Sequence, residues 1–145
     1  MSAATPIERP GGHLVQIPRA RCEELLRQRF VGRVGFTSAA GPHVLPVNYA
    51  VYNDTVVFRT SPHGVLSVLA RRTPAAFEID DIDETGGTGW NVLVQGFSKA
   101  VTRDHDLTDL WRDGPVPRAR GVRNLFIAIT IESVTGRMVR GPFAE

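Results

Sequence analysis

His43-Val44-Leu45-Pro46-Val47-Asn48-Tyr49-Ala50-Val51, then Tyr52-Asn53-Asp54, then Thr55-Val56-Val57-Phe58-Arg59-Thr60, is the stretch that decides the fold. Both apolar runs are rich in β-branched and aromatic residues, which suit a pleated, half-buried surface. The residues between them are turn formers whose side chains bond their own backbone and tolerate left-handed conformations. So short a connection forces neighbouring strands to pair antiparallel. The stretch therefore predicts a hairpin of His43–Val51 and Thr55–Thr60 around a three-residue turn. Upstream, Arg33-Val34-Gly35-Phe36-Thr37 reads as a third strand, joined through Ser38-Ala39-Ala40-Gly41. Three strands with tight turns make a meander.

Outward from the meander, strands alternate with short helices. After Pro18, Arg19–Phe30 has a helical period, with Cys22, Leu25, Leu26 and Phe30 on one face. Pro62–Arg72 reads as a short helix whose apolar side is Val65, Leu66, Val68 and Leu69, with Arg71 and Arg72 in its last turn. Pro74 restarts a strand, Ala75–Ile82, which runs into Asp80-Asp81-Ile82-Asp83-Glu84. A glycine-rich loop, 85–89, leads to the longest strand, Trp90–Thr102, in which Gly96 marks a bulge or sharp bend. Asp104–Asp113 is a second amphipathic helix, with Leu107, Leu110 and Trp111 on one side. The Pro/Arg loop Gly114–Gly121 precedes an apolar strand, Asn124–Ile131, and Ser133–Val139 adds another. Six or seven closely spaced antiparallel strands with three short helices imply a mainly β protein, a small barrel with helices packed on it. A doubly wound parallel sheet would need longer alternating helices. Residues 1–12, rich in proline, glycine and small side chains, read as a flexible leader to a single domain, 13–145.

Composition narrows the function classes. The 145 residues are 42% hydrophobic and 22% charged, ordinary values for one globular domain. A net charge of +2 gives no electrostatic footprint for nucleic acid. No apolar run approaches the ~18 residues of a membrane span, and the N-terminus lacks a signal pattern. A cytoplasmic protein is expected. Cys22 is the only cysteine, so no disulfide forms within the chain, and the four histidines are too scattered for a metal site. Lys99 is the only lysine among 17 basic residues, so an anion would be gripped by arginine, backbone N–H groups or hydroxyls.

One junction gathers such groups. Phe58-Arg59-Thr60-Ser61-Pro62-His63-Gly64 ends a strand and opens a helix, bringing an arginine and two hydroxyls to free helix N–H groups. A plain alternative is that Ser61 caps the helix, Pro62 takes its first position and Arg59 is a solvated strand end. The upstream strand places Asn48 and Tyr49 beside this junction. Asn48 has donor and acceptor together, the combination that reads the pyrimidine edge of a flavin. The alternative for both is an exposed polar strand face. Trp90 suits ring stacking or a subunit seam. His63 could carry a proton beside a phosphate bound at this junction or be an exposed loop histidine. The carboxylates at 80–84 lack the spacing of a calcium loop and read as a solvated turn. Cys22 reads as a packing residue. Arg118, Arg120 and Arg123 read as a solvated loop, with an acidic partner as the alternative.

Five runs in order, Gly32-Arg33-Val34-Gly35-Phe36, Pro46-Val47-Asn48-Tyr49, Val57-Phe58-Arg59-Thr60-Ser61-Pro62, Phe77-Glu78-Ile79-Asp80 and Gly89-Trp90-Asn91-Val92-Leu93-Val94-Gln95-Gly96, resemble the pyridoxamine 5′-phosphate oxidase-like family. The short actinobacterial-type flavin-binding branch is the most similar, from about Arg21 to Thr102 and more weakly to Met138. The resemblance implies an FMN-binding split barrel, six- to seven-stranded and antiparallel, working as a homodimer with two FMN sites at the interface. It implies that Pro46, Val47, Asn48 and Tyr49 line the isoalloxazine ring. Arg59, Thr60 and Ser61, with Val65 and Leu66 in the following turn, would hold the ribityl and phosphate groups. Trp90 and Asn91 of the partner chain would close the ring side. Where many relatives carry a lysine this chain has Val65, which forfeits a charge-assisted bond to the phosphate.

The resemblance points to an oxidoreductase in which FMN carries the electrons and the protein orients the ring before a small-molecule substrate. No nucleophile–base pair is legible, and flavin chemistry requires none. A second phosphate pocket, needed for pyridoxamine phosphate itself, is not evident in Gly136-Arg137-Met138-Val139-Arg140-Gly141-Pro142. A non-catalytic flavin or haem binder or sensor of the same fold, and a deazaflavin-dependent reductase, are the other readings open at this level.

Overall fold

The computed structural model describes residues 13–117 and 121–140. The leader assigned to 1–12, and Arg118 and Arg120, lie outside the described residues. In chain order the elements are β1 (His13–Ile17), α1 (Arg19–Gln28), β2 (Val31–Ser38), β3 (Gly41–Tyr52), β4 (Thr55–Thr60), a 3₁₀ turn (Val65–Ala70), β5 (Pro74–Asp83), β6 (Thr88–Ala100), α2 (Asp104–Asp113), β7 (Leu125–Thr130) and β8 (Ser133–Arg140). The strands pair in the order β6-β5-β2-β3-β4-β7, and a β6–β7 ladder closes them into a six-stranded antiparallel barrel. β8 and β1 extend the sheet from the first half of β6. The barrel matches the expected strand number, and β1 is an eighth strand the sequence did not disclose. Its five residues HLVQI bury only Ile17 fully, so they carry little period to read.

The meander forms as the sequence implies, with one change of geometry. Tyr52 pairs directly with Thr55, so the turn has two residues, Asn53 and Asp54, both left-handed at φ 46° and 57°. Two successive positive φ angles match the twist of a hairpin, which favours this turn over a three-residue one. Alternate residues then face inward. Val34, Phe36, Val47, Tyr49, Val56, Phe58, Phe77, Ile79, Val92, Val94, Ile127 and Ile129 fill the interior, all buried. A barrel this narrow is packed by its own side chains.

β6 changes partners at Gly96. It pairs with β8 up to Gln95 and with β7 from Ser98, which is how one strand serves both the barrel and its extension. A Cβ at 96 would run into the Thr130 carbonyl oxygen, so the bend needs glycine.

The helices plug what the barrel leaves open. Cys22, Leu25 and Leu26 of α1 are buried at one end, against Ile17 and the close approach of Gly136. Phe30, expected on the same face, is 74% exposed. α1 stops at Gln28, and the extended backbone of Arg29 (φ −113°, ψ 163°) turns the chain outward before Phe30. α2 covers the outer side of β4 and β7, where Leu110 packs with Val57, Phe126 and Ala128. Tyr52 anchors it by donating to Asp106 Oδ1 at 2.8 Å and bonding Asp109 at 3.1 Å. Leu107 and Leu110 face the barrel as expected, whereas Trp111 remains 54% exposed.

The outer face of β3, β2, β5 and β6 stays open. Val31 and Val44 there are 56% and 72% exposed. Among the described residues no helix is long and apolar enough to cross a membrane.

Candidate functional site

The site is set by where one ladder ends. β3 pairs with β2 through Gly41–Asn48 and with β4 only through Tyr49–Tyr52. The next pair would set Asn48 against Arg59, and there the two strands part. The strand period sends Pro46 and Asn48 to the outer face and Val47 and Tyr49 into the barrel. Asn48 is half-buried, and its amide enters no side-chain hydrogen bond with a described residue. Tyr49 is not part of an exposed polar face. It is 2% exposed, stands edge-on to Phe77, and donates its hydroxyl to the Leu26 carbonyl at 2.6 Å. Burial raises its pKa above the ordinary tyrosine range. Val47 and Tyr49 can meet a ligand on the outer face only through their backbone.

On β4 the same period puts Val56, Phe58 and Thr60 inside and Arg59 outside. The Arg59 guanidinium lies 4.2 Å from the Trp111 ring centre and 5.4 Å from that of Phe126. Its Nε donates to the Arg123 carbonyl at 2.9 Å. No carboxylate pairs with it among the described residues, and burial lowers its pKa, though a guanidinium keeps its proton. Arg59 is thus held by aromatic faces, not a solvated strand end. Thr60 is 2% exposed, so its hydroxyl is turned away from the outer face. Ser61 is half-buried, and its Oγ accepts from the His63 amide at 3.2 Å. It closes a local turn and caps no helix.

The helix expected over Pro62–Arg72 is a 3₁₀ turn, Val65–Ala70. Gly64 precedes it, and its carbonyl accepts from both the amide and the hydroxyl of Ser67. The three-residue period explains the choice: it stacks Leu66 and Leu69 over the barrel end, where Leu69 is fully buried. Val65 and Val68 are left 43% and 39% exposed, so the apolar side is narrower than expected. A turn this short supplies no α-helical N-terminus for an anion, so Arg59 and Ser61 are the polar side chains of this end. Arg72 stacks 3.6 Å from the Phe97 ring centre.

Trp90 and Asn91 sit elsewhere. Asn91 faces outward, opposite Asp80 on β5 and Arg137 on β8. Trp90 turns inward against the core, with the Arg29 guanidinium 5.1 Å from its ring centre. β2 and β5 separate β6 from β3, a span of about 14 Å at ordinary strand spacing. Within one chain, then, Pro46, Asn48, Arg59, Ser61, Val65 and Leu66 form one group and Trp90 and Asn91 another. A groove of about 390 Å³ runs past the second group, bordered by Leu14, Ile82 and Val139. Another, of about 460 Å³, crosses the small residues Gly35, Ala76 and Gly96 on the open face. A more polar cavity of about 350 Å³ lies at the start of α2, by Lys99, Arg103 and Asp106, apart from both groups.

Two features escaped the sequence. Arg33 on β2 binds Asp80 at 2.7 Å and Glu78 at 3.5 Å across the open face. Burial, then the hydrogen bond and charge of Asp80, push the Glu78 carboxyl up to about 7 despite Arg33. Glu78 and Asp80 are two apart on a strand, a spacing that already puts them on one face. The acidic run is therefore only partly a solvated turn: Asp80 and Asp81 bind Arg33 and Arg29. The second feature is Arg123, expected in a solvated loop. It is half-buried, and its Nε is buried without a partner among the described residues. Its two-residue separation from β7 was the available signal.

The family profile of pyridoxamine 5′-phosphate oxidase matches residues 18–138. The chain belongs to this family. An uncharacterised protein of Mycobacterium tuberculosis is 33% identical over 128 residues, covering 85% of this chain and 84% of that relative. The FAD binding protein from Mycobacterium smegmatis is 29% identical with a TM-score of 0.71, covering 86% of this chain and 98% of that one. An FAD-binding protein from Mesorhizobium loti, at 21% identity, shares the fold with a TM-score of 0.67, over 90% of this chain and 99% of that one. The family membership accounts for the closed barrel with its two added strands, and for the order of the five runs read from the sequence.

Proposed function

We propose that this family member is a flavoprotein that binds FMN on the open outer face where β3 parts from β4, and that it works as a cytoplasmic oxidoreductase on a small molecule. The observation that carries the reading is Arg59 at the split, across from the amide of Asn48, the first without a carboxylate partner and the second without a side-chain hydrogen bond among the described residues. A half-buried, aromatic-backed guanidinium suits a phosphate, and an outward amide suits the edge of a flat heterocycle. The donor set therefore fits a phosphorylated flavin. The flavin-binding relative at 29% identity supports the same ligand class.

Within this reading Arg59 and Ser61 hold the phosphate end, with Val65 and Leu66 against the ribityl chain. Pro46 and Asn48, and the backbone of Val47 and Tyr49, orient the ring. The bound flavin supplies hydride and electron transfer; the protein supplies orientation and exclusion of water. A homodimer belongs to the same proposal. An open sheet face with exposed Val31, Val44 and Ile82 calls for a cover, and Trp90 and Asn91 are too far from Asn48 to share a ligand within one chain.

The test is a visible spectrum of the purified protein, titration with FMN and FAD, and sedimentation. Flavin absorbance or saturable flavin uptake by a dimer is the expected result. A colourless protein that takes up neither flavin refutes the proposal.

A further inference from the structure

We propose that Trp111 is a positioning residue of the flavin site: its indole face holds the Arg59 guanidinium in the orientation that grips the phosphate, and so sets the preference for a phosphorylated flavin. This rests on the flavin reading above. A long arginine side chain at a strand end loses rotamer freedom when it binds, so it grips an anion well only if its orientation is fixed beforehand. No carboxylate among the described residues fixes Arg59.

Three other contacts do. The guanidinium lies 4.2 Å from the Trp111 ring centre and 5.4 Å from that of Phe126, and Nε donates to the Arg123 carbonyl at 2.9 Å. Trp111 is itself fixed. It stands edge-on to Phe126, with ring centres 5.2 Å apart and planes at 81°, and α2 is tied to the end of β3 by the Tyr52 hydroxyl, which bonds Asp106 and Asp109. Trp111 and the Arg123 carbonyl flank one connection, from the last turn of α2 to the start of β7. That connection orients the cation; the turn after Ser61 brings Val65, which has no charge. The two tasks of the guanidinium do not compete. Stacking uses its flat face, whereas a phosphate is bound by N–H groups in its plane. With Nε engaged, the terminal amino groups are the donors left, and no described residue accepts from them. Leu107 and Leu110 of the same helix pack on the barrel, but Trp111 is 54% exposed, so replacing it leaves the core packed.

FMN and riboflavin share the ring and ribityl chain and differ by the phosphate, so the ratio of their affinities reports this end of the site. In fluorescence titrations of the full chain, Trp111→Leu, which has no aromatic face, is expected to weaken FMN by about threefold to tenfold and leave riboflavin unchanged, the fold-change that one cation–π contact is worth. Trp111→Phe keeps a face and is expected to retain most of the FMN affinity. Trp111→Gln, suited to an exposed helix position, is expected to repeat the loss and serves as the test should Trp111→Leu fold poorly. A wild-type ratio in the variant without an aromatic face overturns the proposal, and so does a Trp111→Phe ratio as low as that variant's. A parallel loss of both ligands also overturns it, because Trp111 would then be a purely structural residue. A wild-type chain that binds neither ligand refutes the flavin reading itself, and that outcome is read before any variant is made.

Discussion

Tyr49→Phe separates a structural role from a binding one at the centre of the strand that first suggested a flavin. The Tyr49 hydroxyl is buried and donates to the carbonyl of Leu26, two residues before the end of α1. Carbonyls in a last helical turn have no partner within the helix, so this bond both caps α1 and ties it to the barrel. Removing the hydroxyl loses the net worth of the bond and leaves a buried carbonyl unsatisfied, together about 1–3 kcal/mol. The ring contact with Phe77 survives, so no cavity term is added. A domain of this length loses roughly 3 °C of Tm per kcal/mol, so Tm should fall by about 3–9 °C. Urea denaturation followed by tryptophan fluorescence gives the stability change, and flavin titration of the same variant gives the affinity. Flavin affinity should stay within about twofold of the wild type, because the phenol does not reach the outer face. A variant of undiminished stability that loses flavin would refute the reasoning, since it would put the hydroxyl on the ligand.

Arg59→Ala should weaken FMN by about 1.5–3 kcal/mol, the scale of a hydrogen bond to a charged group, as measured by calorimetric titration. Unchanged affinity would move the phosphate elsewhere. Gly96→Ala should cost about 1–3 kcal/mol or more in urea denaturation, because the new Cβ meets the Thr130 carbonyl and neither backbone can yield without opening β6–β7. Glu78 holds its proton up to about pH 7 when folded, against 4.5 ordinarily. The folded chain therefore binds more protons than the unfolded chain between those values, and stability should fall as pH rises through that window. Glu78→Gln should remove that part of the slope in a series of thermal melts. An identical slope in the variant would assign it to other groups.

The local signals agreed with the fold wherever the period was regular. The alternation of β3 and β4 named both strands and the turn between them, and the apolar positions of β2, β5, β6 and β7 became the barrel interior. Steric alternation along a strand is a property of the chain itself, so it is written in the residues. The two-residue turn, the 3₁₀ turn in place of a helix and the strand β1 were less legible. Each depends on what the segment packs against: Leu66 and Leu69 chose the period of their turn by the space at the barrel end.

The candidate site divides in the same way. Residue order alone brought Asn48 and Tyr49 to the Arg59–Ser61 junction, because a turn between two strands brings their ends together whatever else the chain does, whereas Pro46 and Val47 came from the family resemblance. Only the tertiary structure decided which side chains face out. It sent Tyr49 and Thr60 inside, set Arg59 on Trp111 and placed Arg123, more than sixty residues away in sequence, at its side. Inward or outward, and which distant strand lies next, are fixed by closure of the barrel. That is a property of all six strands at once, and no single stretch of sequence contains it.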